Sequence, residues 1–62
     1  MSRWELTIVD TMSEMGGHFD RGLASLYCVA DHENRLLIRQ TWPDEWAKYE
    51  GIATARLEEE NV

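Results

Sequence analysis

Apolar residues recur along this chain with the period of a helix. Trp4, Ile8, Met12 and Met15 stand at i, i+4, i+8 and i+11, with Val9 beside them. Such positions share one face of an α-helix, so the pattern predicts a first helix from Ser2 to about Met15. Ser2 is placed to cap it, and Glu5 three residues on completes a capping-box pattern. Trp4, Leu6 and Ile8 also alternate as a short strand would. That alternation fails at Val9 while the helical stripe continues to Met15, so helix is the better reading.

Gly16-Gly17 then reads as the stop, because glycine takes the left-handed conformation of a helix C-terminus without steric cost. A phosphate-binding loop is excluded, since neither a preceding strand nor a G-x-G-x-x-G or G-x-x-x-x-G-K pattern is present. A second helix is expected from His18 or Phe19 to Ala30, burying Phe19, Leu23, Leu26, Tyr27 and Ala30. Leu26 is expected to cost roughly 2–5 kcal/mol on truncation to alanine, as a buried leucine does. Gly22 sits within this helix at a cost of roughly 1 kcal/mol against alanine, which suggests that another helix approaches closely there.

Asp31 is suited to cap a third helix beginning at His32, with Glu33 favouring its positive start. That helix runs to about Gln40 and is expected to bury Leu37 and either Leu36 or Ile38, with Asn34 and Arg35 towards solvent. Pro43 is tolerated in the first turn of a helix and not in its interior. The third helix therefore stops near Thr41 and a fourth starts at Pro43. Its first turn carries Asp44 and Glu45, and Trp46, Tyr49, Ile52 and Ala53 form its stripe. Gly51 is a point where it can bend. Glu58-Glu59-Glu60-Asn61-Val62 reads as a charged tail that frays. The expected fold class is all-α, a single domain over residues 1–62 built as a compact bundle of three to four short helices.

Size limits what such a bundle can do alone. A chain of 62 residues buries only about 60% of its unfolded surface, and small domains of this kind lean on disulfides, metals or self-association. Cys28 is the only cysteine, so no internal disulfide forms. Cys28, His18 and His32 are too few and too badly spaced for a structural zinc. Tight packing or a homodimer remains, and three tryptophans, two tyrosines and one phenylalanine supply apolar area for either.

Charge narrows the partners. Twelve acidic and six basic residues give a net charge of −6, which is poorly suited to neutralising phosphates. The same charge serves solubility first, and otherwise favours a basic partner; the partner expected is a protein with a basic surface, without direct nucleic-acid contact. No apolar run approaches the roughly 20 residues of a membrane span. The start Met1-Ser2-Arg3-Trp4-Glu5 lacks the layout of a secretory signal, and one free cysteine fits a reducing compartment. These features read as a cytoplasmic protein.

No enzyme signature emerges. His18 and His32 read as first-turn polar residues, and Cys28 as a small buried hydrophobe. Asp44/Glu45 and Glu58/Glu59 are adjacent pairs that diverge around a helix, unlike the facing carboxylates of acid–base chemistry. No cofactor is expected. The aromatic cluster points instead to packing and recognition, since Trp and Tyr dominate interface hot spots. Trp46 and Tyr49 read as core. Trp42 beside the proline is a contact candidate, and Trp4 is placed to cover a neighbouring subunit. The candidate protein-binding residues are Glu33, Trp42, Asp44, Glu45 and Trp4.

The run of Gly16-Gly17, Phe19, Gly22-Leu23-Ala24, Leu26-Tyr27, Ala30-Asp31, Glu33-Asn34 and Leu37 resembles a family of very small bacteriophage and prophage proteins. Trp42-Pro43-Asp44-Glu45-Trp46 followed by Tyr49 resembles its second hallmark, an aromatic-Pro-Glu-aromatic turn ending in tyrosine. The similarity covers roughly residues 8 to 53. It departs at Trp42, where phenylalanine is usual, and at Gly22, where alanine is commoner. The resemblance implies a phage-encoded inhibitor of a host protein, anti-CRISPR or other counter-defence, that occludes a basic surface; it assigns no functional residue. Two other readings stay open: a binder or sponge for a small nucleotide-type ligand with a pocket at a dimer interface, and a structural or assembly subunit.

Overall fold

The computed structural model describes residues 1–60 as four helices without a strand among them: α1 Arg3–Met15, α2 His18–Val29, α3 His32–Thr41 and α4 Pro43–Glu60. The all-α bundle expected from the sequence is the fold, with four helices.

Local chemistry sets the boundaries. The Ser2 hydroxyl accepts from the Glu5 N–H at 3.1 Å, and the Glu5 carboxylate accepts from the Ser2 N–H at 3.3 Å. This reciprocal box satisfies two donors that a helix start leaves orphaned. Asp31 caps α3 by accepting from the Asn34 N–H at 2.9 Å. Pro43 opens α4, and Trp42 bridges the two helices: its N–H donates to Ile38 O and its carbonyl accepts from Trp46 N–H.

The junction between α1 and α2 corrects one expectation. Neither Gly16 nor Gly17 is left-handed; Gly16 is extended, with φ −81° and ψ 162°. Gly16 is needed for space. A Cβ there would meet the Asp20 Cβ, would lie 2.6 Å from Met12 O and would lie 3.1 Å from the Tyr49 hydroxyl. Gly22 differs in the opposite sense, because nothing lies within 4 Å of the place its Cβ would take. No helix of the same chain approaches it.

α1 is the centre of the bundle. It packs along both α2 and α4, whereas α3 meets α2 and α4 more sparsely. The core consists of Ile8, Val9 and Met12 from α1, Leu23, Ala24 and Tyr27 from α2, Ile38 from α3, and Trp46, Tyr49 and Ala53 from α4. Trp4, Ala30, Trp42 and Ile52 pack at its edge. Buried Thr11 donates to Thr7 O and accepts from Arg56, so no hydroxyl is stranded.

Several residues expected inside lie outside. In α2 the inward stripe is Leu23, Ala24 and Tyr27; Phe19 and Leu26 are exposed. In α3 only Ile38 is buried, and Leu37 is 57% exposed. Met15 is exposed at the end of α1, and Cys28 is exposed rather than buried. Arg35, expected in solvent, turns back and donates to Tyr27 O at 3.1 Å. The acidic run expected to fray continues α4 through Glu60, where Glu60 pairs with Arg3 of α1; positions 61–62 lie outside the described residues. α4 runs unbroken through Gly51.

Candidate protein interface

A continuous apolar surface runs between α2 and α3. It begins with Phe19 on the first turn of α2 and continues through Leu26 and Val29, which are 49% and 82% exposed. Leu36 and Leu37 extend it across α3. Two adjoining grooves of about 330 and 380 Å³ share Leu26 and Trp42, so they form one open trough. A third, of about 360 Å³, joins through Leu37 and is edged by Glu33 and Gln40.

The trough exists because α2 carries too many apolar residues for one inward face. Phe19, Gly22, Leu26 and Val29 are spaced three, four and three apart, a second stripe beside the inward Leu23, Ala24 and Tyr27. In α3 the consecutive Leu36, Leu37 and Ile38 are each rotated about 100° from the last. Only one of them can reach the core. Trp42 lies where the two grooves meet, its ring edge-on to Phe19 with centroids 5.7 Å apart. The total exposed area, 4207 Å², is close to the roughly 4100 Å² expected of a compact chain of this mass. The apolar surface therefore reflects where the residues sit, rather than loose packing.

The candidate binding residues separate. Trp42 lines the trough and Glu33 edges it, near opposite ends of α3. Asp44 is exposed in the first turn of α4. Trp4 packs edge-on to Trp46 at 6.5 Å, and Arg39 lies 6.0 Å over the Trp4 ring and 4.8 Å over that of Trp46. Its contacts are therefore within the chain. Glu45 is drawn to Asp20, which is a contact sequence reasoning missed.

Facing carboxyls do occur, between helices rather than along one. Asp20 Oδ2 accepts from the Tyr49 hydroxyl at 2.7 Å. That bond, and then one with Glu45, holds the Asp20 carboxyl below its ordinary value; the hydrogen bond to Asp20 pushes Glu45 up. Asp20 Oδ1 is buried without a donor, and a proton on Glu45 would satisfy it. The bond from Tyr49 to Asp20 is what holds α2 to α4 here. Among the described residues no three His, Cys, Asp or Glu side chains are grouped to hold a metal, and no helix is long and apolar enough to cross a membrane.

The outward residues of the trough, Phe19, Leu26, Val29, Leu36 and Leu37, were also missed as a surface. Their signal was the three-four-three spacing in α2. No family model, curated protein or solved structure matches the chain.

Proposed function

We propose that the protein is a non-enzymatic binding protein, a phage-encoded inhibitor in keeping with its resemblance to very small bacteriophage and prophage proteins, and that its acidic surface occludes a basic surface of a partner protein. The observation that carries this reading is that its cations are mostly engaged within the chain while most of its exposed acids are not. Arg3 is paired with Glu60, and Arg56 with Glu14 and the Thr11 hydroxyl. Arg35 lies over the Tyr27 ring at 5.6 Å, Arg39 over Trp46, and Lys48 over Tyr49 at 5.2 Å. Among the described basic residues, only Arg21 makes no such contact.

The acids are arranged otherwise. Asp10, Glu33, Asp44, Glu58 and Glu59 are exposed, and the ion pairs among the described residues engage only Glu14 and Glu60. The net charge of −6 is thus projected outward. A field of one sign steers an oppositely charged partner and raises its association rate.

Capture from host lysate on the immobilised protein tests the reading. The expected result is a basic protein that is released as salt rises, because exposed charges are screened within a Debye length of about 8 Å at physiological ionic strength. Replacing Asp44 by Asn and Glu33 by Gln should slow its association at low salt. Capture of an uncharged or acidic protein, or association unaffected by salt, would overturn the proposal. A co-purifying nucleotide with no captured protein would point to the ligand-binding alternative.

A further inference from the structure

We infer that the α2–α3 trough is covered by a second copy of this chain, packed antiparallel through the outward face of α2 about a twofold axis at the level of position 24. The first argument is register. On the outward stripe of α2, Phe19 and Val29 are equally far from position 24, and so are Gly22 and Leu26. An antiparallel twofold therefore sets Phe19 against the partner's Val29, and Leu26 against the partner's Gly22. The largest gap on the face receives a projecting leucine, twice, by symmetry. Isologous contacts require this self-complementarity, and the three-four-three spacing is that of a helix–helix seam.

Space at Gly22 is the second argument. Nothing lies within 4 Å of where its Cβ would be, although glycine weakens a helix interior. A backbone left bare on the outside of a helix lets a neighbouring helix come close, and within the chain none does.

Charge decides between a second copy and a basic partner. The chain carries −6, yet the residues lining the trough include one charged side chain, Glu33, at its edge. A basic segment laid in the trough would find almost no counter-charge. A second copy brings a neutral face to a neutral face and leaves the acids of both outside. Size limits the strength of the contact: the stripe from Phe19 to Val29 spans about 15 Å along the helix, and α2 with α3 is about 20 Å across. That footprint, roughly 300 Å² in projection, is smaller than the roughly 800 Å² per partner of a standard interface, so association should depend on concentration.

The proposal goes beyond partner recognition and shares only Glu33, at the trough's edge, with the acidic surface; variants at Gly22 and Leu26 leave every acid in place, so either reading can fail alone. Sedimentation equilibrium of the whole chain across micromolar concentrations tests it. The expected mass is twice the 7.2 kDa of one chain. Gly22→Leu fills open space in the single chain and improves its helix propensity, so helical circular dichroism should hold. In the dimer it opposes the partner's Leu26, and dissociation should strengthen at least about tenfold. Adding Leu26→Ala to Gly22→Leu restores one large residue facing one small residue and should recover association. A wild type that sediments as one chain throughout would overturn the inference. So would a folded Gly22→Leu variant with unchanged dissociation, or a double variant weaker than the single.

Discussion

The Tyr49 hydroxyl donates to Asp20 Oδ2 at 2.7 Å, tying α4 to the start of α2 directly beside Gly16. Tyr49 is 1% exposed. Its twin is Tyr27, equally buried, which donates to Glu5 at 2.8 Å and ties α2 to α1. Each of the two largest fully buried side chains thus carries its polar tip to a carboxylate on another helix. Removing one hydroxyl leaves a charged acceptor short of a donor, at roughly 1–3 kcal/mol. Tyr49→Phe should lie toward the upper end, because Asp20 already has one oxygen without a donor. Tyr27→Phe should cost less, since Glu5 keeps its bonds to Ser2. Urea denaturation of the two variants checks the order.

Glycine substitutions should divide sharply. Gly16→Ala would press on Met12 O and the Tyr49 hydroxyl and should destabilise by about 1–3 kcal/mol, as overpacking does. At Gly22 and Gly51, both helical and open, alanine should stabilise the single chain by up to about 1 kcal/mol. Equal effects at Gly16 and Gly51 on thermal unfolding would remove the close-packing account of Gly16.

Leucine truncations separate core from surface. Leu23 is 5% exposed, so Leu23→Ala should cost roughly 2–5 kcal/mol. Half-exposed Leu26 should cost the single chain less than about 1 kcal/mol in alanine form. The comparison must be made at concentrations below association, where only intramolecular packing is read.

That contrast also marks how far the sequence could be read. Caps and breakers act locally, so Ser2–Glu5, Asp31 and Pro43 announced the helix boundaries to within a residue or so. The α1 stripe was legible because only one of its faces is apolar. α2 was not, because Phe19/Leu26 and Leu23/Tyr27 are two overlapping stripes of similar hydrophobicity. Which one turns inward depends on Trp46 and Tyr49, which stand in another helix far along the chain. The same holds for Leu37 and Ile38. Asp20 with Glu45, and Arg56 with Thr11, join residues whose only relation is the fold, and no local signal marks them.

The Asp20–Glu45 contact should respond to a neutral substitute. Glu45 is raised by its bond to Asp20, so its favourable contribution is present below its ordinary value of 4.5 and is lost as pH rises through its folded value. At neutral pH the two face each other as like charges. Glu45→Gln offers Asp20 Oδ1 an N–H donor at every pH. The variant should therefore gain stability at pH 7 and show little gain near pH 4. A uniform change across that range would mean that the two side chains do not share a proton.

At the alkaline end the tyrosines govern. Burial, and then Glu5, push Tyr27 up to about 12; Tyr49 is raised to about 12 by its bond to Asp20 and then by burial. The folded state holds both protons more tightly than the unfolded chain, whose tyrosines ionise near 10.0. Their stabilisation is complete below pH 10 and is lost as pH climbs from 10 through about 12. These are the only tyrosines in the chain, so no exposed phenol obscures the titration. Phenolate absorbance should be nearly absent at pH 10, where free tyrosine is half ionised. It should then rise together with the loss of helical circular dichroism, because forming either phenolate beside its carboxylate partner breaks an interhelical tie. Phenolate appearing near pH 10 with the helix signal intact would show that these hydroxyls are open to water, and both ties would have to be abandoned.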